Sequence, residues 1–187
     1  MRQCGRRRIP ARDAIEASNA PDKEALLDMF DLHFGPWDTL EEGKPFFGSK
    51  TQPAGAGFYP ADLTKADFDA YLAANPTEKA ALTSPYTVVR RQGDKLVAVP
   101  YSQAYKQWLE PAAKLLEQAA GITSNASLKR FLTLRAQAFR TDDYYESELA
   151  WMDLDGTPIE VVIRPYEVYT DGLYGAKTAF EAFVTVK

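Results

Sequence analysis

One short run constrains the fold of this chain more than any other. Residues 159–164, Ile-Glu-Val-Val-Ile-Arg, are the best strand in the sequence, rich in β-branched residues and introduced by the turn Gly156-Thr157-Pro158. Most of what precedes them reads as helix. Apolar residues recur at helical spacing at Leu26, Leu27, Phe30 and Phe34, and again at Leu128, Phe131, Leu132 and Phe139. A chain that is mainly helical to residue 155 and then turns to extended structure belongs to the α+β class.

Local signals set the expected boundaries. Helices are predicted over residues 23–34, ended by Gly35-Pro36, and 64–74, with Thr64 as N-cap and Asp67 in the position of a capping box. A long helix is predicted over 101–120, kinked or split at Pro111 and stopped by Gly121. Two more follow over 127–140 and 142–152, the second with Thr141 as N-cap and Asp142 and Asp143 near the positive end of the helix dipole. Residues 86–90 and 96–99 flank Gln92-Gly93-Asp94 and read as a hairpin. The glycine- and proline-rich stretch 45–60 reads as a wrapping loop, 167–169 and 180–186 as further extended pieces, and Trp151 and Met152 as core.

Composition bounds the class. An apolar content of 45% and a charged content of 26% are ordinary for a soluble globular domain. A net charge of −4 gives no support to a nucleic-acid partner, and no apolar run approaches a membrane span. The charge is uneven. Arg2, Arg6, Arg7, Arg8 and Arg12 make the start strongly basic, so residues 1–22 are expected to be a leader, disordered and without an assigned role, ahead of a folded part over 23–187. The single cysteine, Cys4, excludes an internal disulfide framework and suits a reducing, cytoplasmic setting.

Several chemistries are excluded by residue counts. With one histidine, His33, and one cysteine, the usual zinc ligand sets cannot be assembled, and a Ser–His–Asp or Cys–His arrangement would have to use a histidine beside a turn. His33 is expected to be a satisfied surface or half-buried side chain. No phosphate loop, dinucleotide fingerprint or EF-hand occurs.

What remains is acidic and phenolic. Half of the ten tyrosines, and ten carboxylates against three basic side chains, lie in residues 141–187. The sharpest segment is Arg164-Pro165-Tyr166-Glu167-Val168-Tyr169, leaving the strand. If residues 167–169 are extended, Glu167 and Tyr169 point to one face. A carboxylate beside a phenol is able to hold an ammonium group and to donate a hydrogen bond to an oxyanion. The chain also stops within an apolar pattern, so this reads as a site with its other half missing.

The runs FYPADLTKADFDAYL, LTSPYTVVRRQGDKLVAVPYSQAY, LKRFLTLRAQAF, TDDYYESELAWMDL and IEVVIRPYEVYTDGLYGAKTAFEAF, in that order, resemble the dipeptidyl-peptidase III family of zinc metallopeptidases. The resemblance is to its bacterial branch and to the related region of plant Nudix-fusion proteins, over about residues 30–187. It implies a two-lobed hydrolase, an exopeptidase whose wide cleft releases dipeptides from the free amino end of oligopeptides, with this chain as part of the amino-terminal, non-zinc lobe. In the family a Glu-x-Tyr segment after a strand binds the substrate's α-ammonium through its Glu and supports the carbonyl oxygen through its Tyr. Those roles fall on Glu167 and Tyr169. The family's His-Glu-x-x-Gly-His type zinc helix is absent, so the expectation is a fragment inactive alone, with zinc bound only in the intact parent, an oligopeptide as substrate and the missing zinc lobe as partner. The alternative is a catalytically silent peptide-binding or scaffold module.

Overall fold

A computed structural model describes residues 10–33 and 35–186. Cys4, the arginines before residue 9, Phe34 and Lys187 lie outside the described residues. The chain divides into two compact units, residues 1–53 and 54–187.

In the first unit, α1 (Pro10–Ala17) and α2 (Lys23–His33) are followed by a two-residue ladder of β1 (Trp37–Asp38) with β2 (Lys44–Pro45). Within the expected leader, Pro10–Ala17 are therefore helical and residues 18–22 are not. Ile15 and Phe30 are its buried apolar residues, and Arg12 makes a two-pronged contact with Asp31, at 2.9 and 3.0 Å, tying α1 to α2. His33 is half-buried and satisfied, its Nδ1 lying 2.8 Å from the Thr39 hydroxyl.

The second unit carries α3 (Lys65–Ala74), α4 (Lys79–Leu82), β3 (Thr87–Gln92), β4 (Lys95–Pro100), α5 (Tyr101–Ala104), α6 (Lys106–Ile122), α7 (Ala126–Thr141), α8 (Tyr145–Met152), β5 (Ile159–Glu167) and β6 (Ala179–Val186). The α+β expectation holds: helices pack beside separate two-stranded antiparallel ladders. Thr64 caps α3 by accepting from the Asp67 amide at 3.1 Å, and its hydroxyl donates to the Asp67 carboxylate at 2.6 Å. Phe58, Tyr59, Phe68, Leu72, Val88, Val89 and Tyr101 form one core, under α3 and the β3–β4 hairpin. Leu109, Ala136, Phe139 and Tyr144 form a second between α6 and α7, and Phe131, Leu132, Ala150 and Val161 join α7, α8 and β5 in a third.

Three boundaries differ from expectation. The long helix breaks at Tyr105, not at Pro111. Tyr105 packs its ring against Tyr101, Trp108 and Phe180, whereas Pro111 sits exposed within α6, where the carbonyl it leaves free can reach water. Gly121 does not stop α6, which continues to Ile122. Thr141 and Asp142 do not start α8. Thr141 is the last residue of α7, and Asp142 follows it in the left-handed region at φ 61°. Its carboxylate instead accepts from the Ser102 amide at 2.9 and 3.0 Å, and burial holds that carboxyl above its usual range. Met152, expected in the core, is 73% exposed, while Trp151 is half-buried.

Candidate functional site

The site grows out of an irregularity in the β5–β6 ladder. From Ile159 opposite Val186 the strands run in register to Pro165 opposite Phe180, and the register then slips so that Glu167 faces Ala179. Pro165, fully buried, has no N–H to offer a ladder, which suits a strand at a point of irregular pairing. Such a bulge re-aims the side chains that follow it. Here it brings Tyr166 and Glu167 beside Glu181 of β6.

Glu167 and Tyr169 do meet, but not by strand alternation. β5 ends at Glu167 and residues 169 and 170 form a turn. The turn keeps Tyr169 near Glu167, and that carboxylate is the main reason the phenol is pushed above its ordinary value. Tyr169 is 78% exposed and Val168 63%, while Glu167 is half-buried at the strand's end.

Glu181 is the member that the sequence did not reveal. Its carboxyl is raised above the usual range, chiefly by its interaction with Glu167, while the Tyr166 phenol nearby pulls the other way. Partial burial and then the two carboxylates push the Tyr166 phenol up. Two carboxyls so close disfavour simultaneous ionisation, and a cation placed between them would relieve that repulsion. The arrangement therefore suits an ammonium group, with phenol donors beside it for an oxygen acceptor. Only the cross-strand register reveals Glu181, since it opposes Arg164 two positions from the bulge.

The loop that returns the chain from Tyr169 to β6 is rigidly held. Asp171, 5% exposed, accepts from the amides of Leu173, Tyr174, Ala176 and Lys177 at 2.9–3.1 Å and from the Tyr59 hydroxyl at 2.8 Å. Burial alone would raise this carboxyl, but the donors around it hold it below its usual range. Lys177, fully buried, donates from Nζ to the carbonyls of Leu82 and Ser84 and to the Thr87 hydroxyl at 2.7–2.8 Å. Burial lowers its pKa to about 8, partly opposed by Asp171. On the other side, Arg135 of α7 donates to the Ile163 carbonyl at 2.8 Å and to Glu148 at 2.5 Å, and Glu148 also pairs with Arg164 at 2.8 Å. β5 is thus fixed to both α7 and α8.

Among the described residues no group of three or more His, Cys, Asp or Glu side chains is placed to hold a metal ion. The residues present do not fit a zinc centre, and no metal-dependent step is assigned to them. No described helix is long and apolar enough to cross a membrane.

No profile of a known protein family matches the chain. It is 51% identical to the dipeptidyl-peptidase III structure from Caldithrix abyssi, with a TM-score of 0.91 over 95% of this chain and 34% of that one. The corresponding values for the dipeptidyl-peptidase III of Corallococcus sp. strain EGB are 44% and 0.87, over 94% and 33%. It is also 29% identical over 210 aligned residues to Nudix hydrolase 3 of Arabidopsis thaliana, covering 86% of this chain and 27% of that protein. The chain thus spans about a third or less of each of these proteins. In sequence and in fold, nearly its whole length is similar to one third of a dipeptidyl-peptidase III.

Proposed function

We propose that residues 23–187 supply the substrate-holding part of one lobe of a zinc-dependent dipeptidyl peptidase, with the zinc centre on further polypeptide. The reading is supported by the 51% identity to a dipeptidyl-peptidase III of which this chain spans 34%. The observation that carries the residue assignment is the placing of Glu167 at the end of β5, where the ladder slips, with the exposed Tyr169 two residues on in the turn that follows. Glu167 holds the α-ammonium of an oligopeptide, which sets where the amino end stops and hence which peptide bond is presented. Tyr169 donates its hydroxyl to a carbonyl oxygen of the bound peptide, a contact that gains strength as that oxygen acquires charge. In this reading the chain binds and orients; it neither holds the metal nor activates water.

The experiment is a binding titration of the chain with a hydrophobic dipeptide amide carrying a free amino group, and with its N-acetylated twin. The free amine should bind more tightly, and Glu167→Gln should weaken it by about tenfold to a hundredfold, since a hydrogen bond to a charged group contributes roughly 1.5–3 kcal/mol. The acetylated twin should be indifferent to the substitution. Equal weakening of both peptides would remove the ammonium role from Glu167.

A further inference from the structure

The two flanks of α6 are used differently. Leu109, Ala113 and Ala120 form its buried line, and on one side of that line Glu110 and Glu117 are both held by Arg140 of α7, at 2.8 and 2.6 Å. On the other side Trp108, Ala112, Leu115, Ala119 and Ile122 recur at alternating intervals of four and three residues. That is the 3.5-residue spacing of a coiled-coil seam, which keeps one stripe of a helix facing a second helix. The stripe is open. Leu115 is 64% exposed and Ile122 86%, with Ala119 exposed between them. Contiguous apolar surface of this kind, rimmed by polar residues, marks a contact surface.

The order of large and small residues along the stripe specifies the occupant. A helix laid on it must be small where the stripe is large, and large where it is small, at the same spacing. α6 itself meets that demand when its direction is reversed. Set antiparallel with Leu115 across from Ala112 of a second copy, Trp108 falls across from Ala119, and Ile122 across from Tyr105. Tyr105 continues the spacing one step before Trp108, and with Leu109, Phe139 and Phe180 it lines an apolar cavity of about 340 Å³, ample for the Ile122 side chain. A parallel pair would set Trp108 on Trp108 and Ala112 on Ala112, crowding one layer and leaving the next hollow. Charge does not oppose the antiparallel pair, because Pro111 and Gln118, which border the stripe on its outer side, are uncharged and the two glutamates are turned to Arg140. We infer that α6 is a self-association surface, on which a second copy of this chain docks antiparallel about a two-fold axis. The contact is independent of the peptide-holding role assigned to Glu167 and Tyr169.

Sedimentation equilibrium of the full chain, from low micromolar to near-millimolar concentration, is the test. Two helices of this length bury less than a standard interface, so association should be weak and strongly concentration-dependent, the mean mass rising from 20.9 kDa toward twice that value. Leu115→Glu should weaken association by about tenfold or more, since it sets an unpaired carboxylate against Ala112 of the other copy. The position is exposed in the single chain, so the circular dichroism of this variant should be unchanged. The register is read separately. In a Cys4→Ser background, chains carrying Ala112→Cys and Leu115→Cys are mixed under mild oxidation, and the mixed disulfide should exceed the two symmetrical ones combined by about fivefold or more. Glu167→Gln should leave the mass profile unchanged, so failure of the peptide-site assignment and failure of this one read differently. A single-chain mass at every concentration would leave the stripe to some other polypeptide and overturn the inference. Undiminished association of a folded Leu115→Glu, or disulfides in statistical proportion, would overturn it as well.

Discussion

Glu167 and Asp171 are four residues apart and carry the same chemical group, yet the structure uses them in opposite ways. Asp171 is buried and accepts five hydrogen bonds, four from backbone amides and one from Tyr59. Its charge is spent on the loop it organises. Glu167 sits at the end of a strand beside an exposed tyrosine and a second carboxyl, with no ion pair among the described residues recorded for it. The difference lies in the backbone. A loop that curls around a carboxylate points its amides at it, whereas the strand end at Glu167 leaves the side chain to meet only other side chains. A saturated carboxylate holds structure, and an unsaturated one among phenols is available to a ligand.

The comparison breaks most readily at Asp171. Asp171→Ala strands four loop amides and the Tyr59 hydroxyl, and should destabilise the chain by about 3 kcal/mol or more, read by urea unfolding. Because the folded pKa of Asp171 lies below its ordinary value, its contribution is complete above the ordinary aspartate range and is lost as pH falls through the lowered folded value. A loss under about 1 kcal/mol would mean that the loop holds its shape without the carboxylate.

Lys177 sharpens the same contrast from the cationic side. Lys177→Met removes three buried hydrogen bonds and should cost about 2 kcal/mol at neutral pH. The pH dependence has a definite sign. With a folded pKa of about 8 and an unfolded value near 10.5, the unfolded chain binds more protons between those limits, so the contribution of Lys177 grows as pH rises across them. The gap in unfolding free energy between the unaltered chain and Lys177→Met should therefore widen from pH 8 to pH 10. A constant gap would show that the amine is not held in its depressed state.

How much of this was legible in the sequence follows the same division between local and distant partners. The Thr64 cap, the hairpin around Gly93 and the strand at Ile159 rest on neighbours within a few residues, and each formed where the pattern pointed. Glu167 and Tyr169 were legible as a pair for the same reason, although a turn rather than an extended strand brings them together. Glu181 was not, because only the slipped register of β5 against β6 carries it to Glu167. Asp142 misled for a related reason: its preference for helix starts is real, but its carboxylate is engaged by Ser102, forty residues earlier. The break at Tyr105 depends on Phe180, and the burial of Lys177 on Leu82, Ser84 and Thr87, contacts that no local pattern announces.

The smallest expected effect tests whether the acidic cluster behaves as a unit. Glu181 has a raised pKa because the Glu167 carboxyl lies beside it, so on acidification Glu181 gives up its negative charge earlier than an isolated glutamate would. Affinity for a free-amine dipeptide should then fall on acidification at a higher pH than a lone glutamate would dictate. Glu181→Gln removes this second titrating carboxyl. In that variant affinity at neutral pH should drop modestly, a few-fold, and the acid limb of the binding curve should move to lower pH. The two shifts have opposite consequences for the ligand, weaker binding at neutrality and more persistent binding in acid, which a purely structural role for Glu181 would not produce. An acid limb that stays in place while neutral affinity falls would mean that Glu181 adds only its charge and that its raised pKa does not govern the acid limb.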